Sequence, residues 1–379
     1  MAKPRVVVIL RYGLNPGAWL ARHDAGEVVD RAPYGYDRAE QWFELSWSRD
    51  HPEGPVRRTV RTGLRRLLGF DLVHVWRNRR IIRHADAVWT HTEREHLAVA
   101  ALKALRPRAY RAISIAQSVW LWDRWQEAGA LRRALYARLL RRHAVELTLS
   151  RENRDASRRL VPGRDVRRIP FGTHPASGAG PEHVRADPPV VLTVGNDRHR
   201  DWGLLLDVTR RMPDVRFDVV TRAEDVRARD WPANVTVRSA TQTELLARAY
   251  AEASVVAIPL RPNLHASGCT VAIEAMSARV PIVATGAGGI QEYLAGTGAA
   301  IVAVGDGVGF ERALRSALAT RARGPARPEV ARGLTEDDYV RRLAAITLAL
   351  REGRPVPAAV EAFAAVPDPA RPHRTGVAA

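Results

Sequence analysis

The feature that most constrains this chain is a rhythm in its second half. Five apolar runs, VVLTV (190–194), VRFDVV (215–220), SVVAIP (254–259), VPIVAT (280–285) and AAIVAV (299–304), are short, β-rich and bounded by turn residues. Helical patterns fill most of the gaps: DWGLLLDVTRRM, TQTELLARAYAEA, CTVAIEAMSAR and GIQEYLAG. Strands that are apolar on both faces need cover on both sides, which predicts a parallel sheet sandwiched by helices. The first half repeats the rhythm more loosely, with RVVVIL, DLVHVW, DAVWTH, AISIAQ and VELTLS as expected strands. At 379 residues the chain exceeds one ordinary core, so two α/β domains facing a cleft are expected. The boundaries read as 1–172, a Pro/Gly-rich linker at 173–189, a second domain at 190–335, a helix at 336–352 that packs back toward the first domain, and a disordered Pro/Ala/Arg-rich tail at 353–379.

Charge is unevenly spread. Of the net +18, residues 1–188 hold 35 Lys+Arg against 20 Asp+Glu, and the remainder 24 against 21. Only two of the 59 basic residues are lysines, so an arginine-favouring genome accounts for part of the excess. Within the basic half, VRRTVRTGLRRLLG (56–69) aligns Val56, Val60, Leu64, Leu67 and Leu68 in one helical stripe among five arginines. That pattern fits an anionic membrane surface or a lipid-phosphate substrate, and it equally fits a helix docked on its own sheet. No apolar run reaches the roughly 18 residues of a spanning helix, and the opening MAKPRVVVILRYG lacks a cleavage site, so a cytoplasmic protein is expected. The single cysteine, Cys269, excludes an internal disulfide and a thiolate-rich zinc site, and reads as a small buried residue.

Three segments carry candidate chemistry. In SVVAIPLRPNLHASGCTVAIEAMSA a strand leads through a loop into a helix that starts near Gly268. Its free N–H groups, with no side chain at Gly268, make an anion site suited to a diphosphate. Glu274, one to two turns on, either pairs with an arginine or accepts hydrogen bonds from a vicinal diol such as a ribose. GAGGIQEYL (286–294) makes a second glycine-rich strand-to-helix turn, with Gly288 and Gly289. VGNDRHRDW (194–202) offers Arg198 and Arg200, whose guanidinium forks suit a diphosphate. No GxGxxG occupies this turn, which counts against a dinucleotide enzyme of the usual type. In the first half His91 ends the strand DAVWTH ahead of a helix opened by Thr92 and Glu93, where its imidazole faces the cleft or satisfies a strand end.

LTVGNDRHRDW, IPLRPNLHASGCTVAIEAMSARVPIVAT and GGIQEYL resemble the donor-binding half of retaining glycosyltransferases of family 4, which have the GT-B fold of two Rossmann-like domains about a central cleft. SRENRDASRRLVPGRDVRRIPFGTH (150–174) is similar to the segment that ends that family's N-terminal domain. The resemblance implies metal-independent transfer of a sugar from a nucleotide-sugar donor to a hydroxyl acceptor with retained configuration. It implies no cofactor. Glu274 matches the second of the family's paired glutamates, which holds the ribose; Arg200 matches the basic residue of its Lys-Gly turn, and Arg198 nearly matches the other basic position. Gly288 and Gly289 match its glycine-rich loop. One departure stands out: the first glutamate of the pair should lie eight residues earlier, where this chain has Ala266. Its role falls either to His265 or to the backbone amides of Ser267, Gly268, Cys269 and Thr270.

By the same resemblance His91 contacts the donor sugar. RYGLNPGAW resembles the first glycine-containing loop of the fold, with Gly13 or Gly17 close to donor and acceptor, and Gln117 is a candidate for a sugar hydroxyl. Trp120, Trp122 and Trp125 suit sugar rings, an isoprenoid chain or packing. The expected partners are a nucleotide-sugar donor, a glycan or lipid-linked acceptor of exopolysaccharide or envelope assembly, and an anionic membrane surface, but no nucleic acid. Two other readings stay open: a non-catalytic binder of nucleic acid or anionic polymer, and a nucleotide-sugar epimerase.

Overall fold

The computed structural model describes residues 2–174, 186–240, 242–320 and 327–369. The first sheet holds β1 (Arg5–Ile9), β2 (Glu44–Trp47), β3 (Ala87–Thr90), β4 (Ile113–Gln117), β5 (Val145–Thr148) and β6 (Val166–Arg168), all parallel, in the order β2-β1-β3-β4-β5-β6. Five of its helices matter below: α1 (Pro16–Asp24), α2 (Pro55–Leu68), α3 (Leu72–Arg77), α4 (Glu93–Leu105) and α5 (Ala130–Leu140). The second sheet holds β7 (Val190–Val194), β8 (Arg216–Val220), β9 (Val235–Arg238), β10 (Val255–Ile258), β11 (Ile282–Thr285) and β12 (Ala300–Val302), again parallel, in the order β12-β11-β10-β7-β8-β9. This is the doubly wound order, with its switch point between β7 and β10. Around it lie α6 (Trp202–Arg211), α7 (Thr243–Glu252), α8 (Cys269–Ser277) and α9 (Ile290–Leu294), and the chain returns through α10 (Glu336–Arg351).

The α/β reading therefore holds, with two six-stranded parallel sheets. Central strands such as β3, β5, β10 and β11 are buried along their whole length, the cause of their continuous apolar runs. DLVHVW differs from its expected strand: Leu72–Arg77 is helical, because Asp71 accepts a hydrogen bond from the His74 N–H and caps it (3.1 Å). Three short strands, β2, β6 and β9, went unread.

Helix α10 lies against the first domain. The Trp89 indole donates to Thr347 (2.9 Å), and the Tyr339 hydroxyl donates to Gln117 Oε1 (2.5 Å). Disorder was expected from residue 353 onward, yet the largely exposed segment 353–369 is anchored at three points. Val356, Val360 and Val366 are buried, and Arg342 donates to the carbonyls of Ala362 and Ala364 (3.0 and 2.9 Å). The Pro/Ala-rich composition hid three apolar anchors. Residues 175–185 of the expected linker and 370–379 of the expected tail lie outside the described residues.

Candidate functional site

The carboxyl ends of both sheets face one cavity of about 600 Å³, lined by residues of both domains. The second domain contributes the turn after β7 (Gly195, Asn196, Asp197, Arg200), the loop and helix start after β10 (His265–Val271) and Glu274; the first contributes Trp19, Tyr34, His91 and Trp120.

Arg200 is buried, 3% exposed. Its Nε donates to the Val194 carbonyl (3.2 Å), whereas Nη1 is buried without a partner among the described residues. A guanidinium nitrogen shut away from water and unpaired costs free energy, unless an anion completes it. Burial pushes the Arg200 pKa down, against the nearby Asp197 carboxylate. Two glycines make room for this side chain. A Cβ at Gly195 would stand 2.3 Å from Arg200 Nε, and one at Gly268 would stand 3.0 Å from Nη1 and 2.8 Å from Ile258. Gly268 also adopts φ +83° as the residue preceding α8, whose start lies beside Nη1; the Cys269 N–H donates to the Ala266 carbonyl (3.2 Å).

Glu274, on the second turn of α8, answers its own riddle. Among the described residues it has no arginine partner; the Tyr250 hydroxyl donates to Oε2 (2.6 Å), and the rest of the half-buried carboxyl faces the cavity. Burial pushes its pKa up to about 7, with Tyr250 and Arg200 pulling the other way.

His265, next to Ala266, is buried in the loop before α8. Its Nδ1 meets Asp123 Oδ2 and its Nε2 meets Asp197 Oδ2, both at 3.0 Å. Although burial opposes the charge, the two carboxylates hold the imidazolium and raise its pKa to about 9. The Ser267 hydroxyl also donates to Asp197 (2.7 Å), whose pKa is driven well below the carboxylate range. Asp197, His199 and His265 cluster tightly enough to hold a metal ion, as do Asp30, His174 and Glu336. In both clusters the neighbouring carboxylates raise the histidine pKa, that of His174 to about 10.

His91 sits at the end of β3, stacked on Tyr34 with ring centroids 3.5 Å apart. Its Nδ1 is 2.7 Å from the Tyr36 hydroxyl, and Gln117 Nε2 donates to its carbonyl (3.2 Å). Burial pushes the imidazole pKa down to about 3, so the ring is neutral. Tyr36 also meets the Tyr339 hydroxyl (3.2 Å), so the ring proton sits on Nε2 when Tyr36 donates to Nδ1 and on Nδ1 when Tyr36 donates to Tyr339.

Other expected residues stand elsewhere. Arg198 does not line the cavity; it is exposed and pairs with Glu127 across the domain boundary (3.3 Å). Gly288 and Gly289 lie behind it, where Cβ atoms would collide with Asn263 and with Ser150 of the first domain, so they serve close packing. Gly13, whose N–H donates to Asp50 (2.9 Å), and Gly17 on α1 are also outside the lining, and Gln117 lies beneath His91. Cys269 is buried and burial pushes its thiol pKa to about 12, which removes it as a nucleophile. Ser267, Gly268, Cys269 and Thr270 all line the cavity. Gly195, Asp197, Tyr250 and Asp123 were missed. Only VGND, a glycine at the strand-to-helix turn, held a readable signal for the first two.

Residues 188–320 match the model of a family described as glycosyl transferases group 1. No curated protein matches the chain. Among solved structures, sucrose-phosphate synthase from Thermosynechococcus elongatus is similar at 17% identity and TM-score 0.61, covering 92% of this chain and 97% of that one. Anabaena Alr3699/HepE, solved with UDP and glucose, is similar at 14% identity and TM-score 0.54, covering 90% and 99%. The same protein solved with UDP-glucose gives 13% identity and TM-score 0.55, covering 92% and 97%.

Proposed function

We propose that the chain, whose residues 188–320 match the glycosyl transferases group 1 model, is a glycosyltransferase that transfers a sugar, with retained configuration, from a UDP-sugar to a hydroxyl acceptor. The observation that carries the donor half is Arg200 Nη1, a buried guanidinium nitrogen beside the start of α8 and lacking a partner among the described residues. A diphosphate supplies the missing acceptor and takes further hydrogen bonds from the α8 amides. Glu274 then receives the ribose hydroxyls. Uridine is the base to test first, because Alr3699/HepE was solved with UDP and with UDP-glucose.

In this reading the sugar lies between His91 and His265. Neutral His91, with Tyr36 donating to its Nδ1, donates from Nε2 to a sugar hydroxyl, and the His265 cation, with Arg200, offsets charge that builds on the diphosphate as its bond to the sugar breaks. The acceptor hydroxyl approaches from the face the diphosphate leaves, and a departing phosphate oxygen accepts its proton. No step in this scheme needs a metal. The acceptor we propose is a glycan or lipid-linked hydroxyl of exopolysaccharide or envelope assembly, with the enzyme at the inner face of the cell membrane. No helix among the described residues is long and apolar enough to cross a membrane.

Thermal unfolding with UDP, GDP and ADP tests the site. UDP at about 100 times its dissociation constant should stabilise the wild type by roughly 2.7 kcal/mol. Glu274→Ala should keep its fold and bind UDP about 10- to 100-fold more weakly, as expected for hydrogen bonds to a charged group. Failure of every nucleotide to shift the folded wild type would sink the donor reading. Product analysis then separates transfer, which gives a glycosylated acceptor, from epimerisation, which gives an isomerised donor.

A further inference from the structure

Helix α2 is turned inside out. Its one buried residue is Arg61, which pairs with Glu53 (2.9 Å) and Asp71 (2.8 Å) and lies over the Tyr12 ring. The apolar stripe faces outward instead: Val56, Val60, Leu64 and Leu67 are 76%, 53%, 38% and 69% exposed. Its neighbour α5 extends this surface with Leu131, 90% exposed, and Leu135. The two helices are tied together, since Arg132 donates to the Leu67 carbonyl (2.7 Å) and the Tyr136 hydroxyl to the Leu68 carbonyl (2.8 Å).

We propose that α2 and α5 form one face that docks on an anionic lipid bilayer. Neither helix carries an acidic residue, and Arg57, Arg58, Arg65 and Arg66 flank the stripe without an ion pair among the described residues. Guanidinium groups beside outward valines and leucines match phosphate headgroups above an acyl layer. A nucleic-acid duplex would use the arginines and leave the apolar stripe wet. The face also leads inward: a recess of about 170 Å³ at the α2–α5 seam, lined by Gly69, Arg132 and Tyr136, shares Trp120 with the donor cavity. The docking face itself does not depend on which donor is used.

The test is flotation of the full chain with vesicles of phosphatidylcholine alone or mixed with phosphatidylglycerol, at low and high salt. The wild type should float only with the anionic vesicles, and less at high salt. Val60→Glu/Leu67→Glu and Arg57→Glu/Arg58→Glu should each lower the bound fraction by about tenfold or more, with unchanged melting temperature. Absence of binding to anionic vesicles overturns the proposal. So does undiminished binding by Val60→Glu/Leu67→Glu, which would mark a contact with polyanions in general, as would equal competition by duplex DNA. A concentration-dependent dimer that Val60→Glu/Leu67→Glu dissolves would also overturn it, assigning the stripe to a second copy of this chain.

Discussion

A buried charge is tolerated only when something answers it, and the site here is a set of such answers. Glu274 has Tyr250, His265 has two carboxylates, and Arg200 has an open position. His265 gives a sign that can be measured. Its folded pKa, near 9, lies above the ordinary 6.5, so its ion pairs contribute stability that is fully present below about pH 6.5 and is lost as pH rises through 9. Chemical denaturation should show the wild type weakening between those values, and His265→Gln should have a flatter profile there. Glu274 and Arg200 were legible because strand, glycine loop and helix fix where their side chains emerge. Arg198 misled because a turn sends residues two apart in different directions. Asp123 was illegible, since it reaches His265 across 142 positions of sequence and nothing local marks it.

Among elements, the central strands could be read because burial on both faces leaves one solution for such runs. Three of the four edge strands could not: ELSW, VRR and VTVR are short and partly exposed, and few apolar positions mark them, whereas the edge strand β12 kept an apolar run. DLVHVW shows the ambiguity of a short apolar run, which burial alone does not assign to strand or helix until a cap such as Asp71 decides. The pattern of α2 was likewise legible, but not its orientation, which Arg61 sets through partners before and after the helix. Asp71→Ala removes both the cap of α3 and one of these partners while Glu53 remains, so it should destabilise the fold by about 2 kcal/mol in urea unfolding. A loss as small as that of an exposed salt bridge would show that Glu53 alone anchors the helix.

Across the whole molecule, a few polar contacts hold the two domains together over the cavity. Asp123 of the first domain accepts from the Leu264 N–H (2.6 Å) and from His265, while the Tyr293 hydroxyl donates to the Leu149 carbonyl (3.1 Å) and accepts from the Phe171 N–H (2.8 Å). Asp123→Ala should therefore loosen the closed form. In solution scattering without nucleotide it should have a larger radius of gyration than the wild type, and saturating UDP should narrow the difference. An unchanged radius would assign closure to the remaining cross-domain contacts, those of Tyr293, Ser150 with Leu264 and Thr243 with Gly26 among them. The chain's order and its spatial partition also disagree. Tyr339, on the last long helix, completes the chain of hydrogen bonds beneath His91, which ends a strand of the first sheet. The lobes are therefore not interchangeable cassettes. A chimera that borrows the first half from a relative must borrow α10 with it, or the grafted histidine will stand over a floor shaped for another protein.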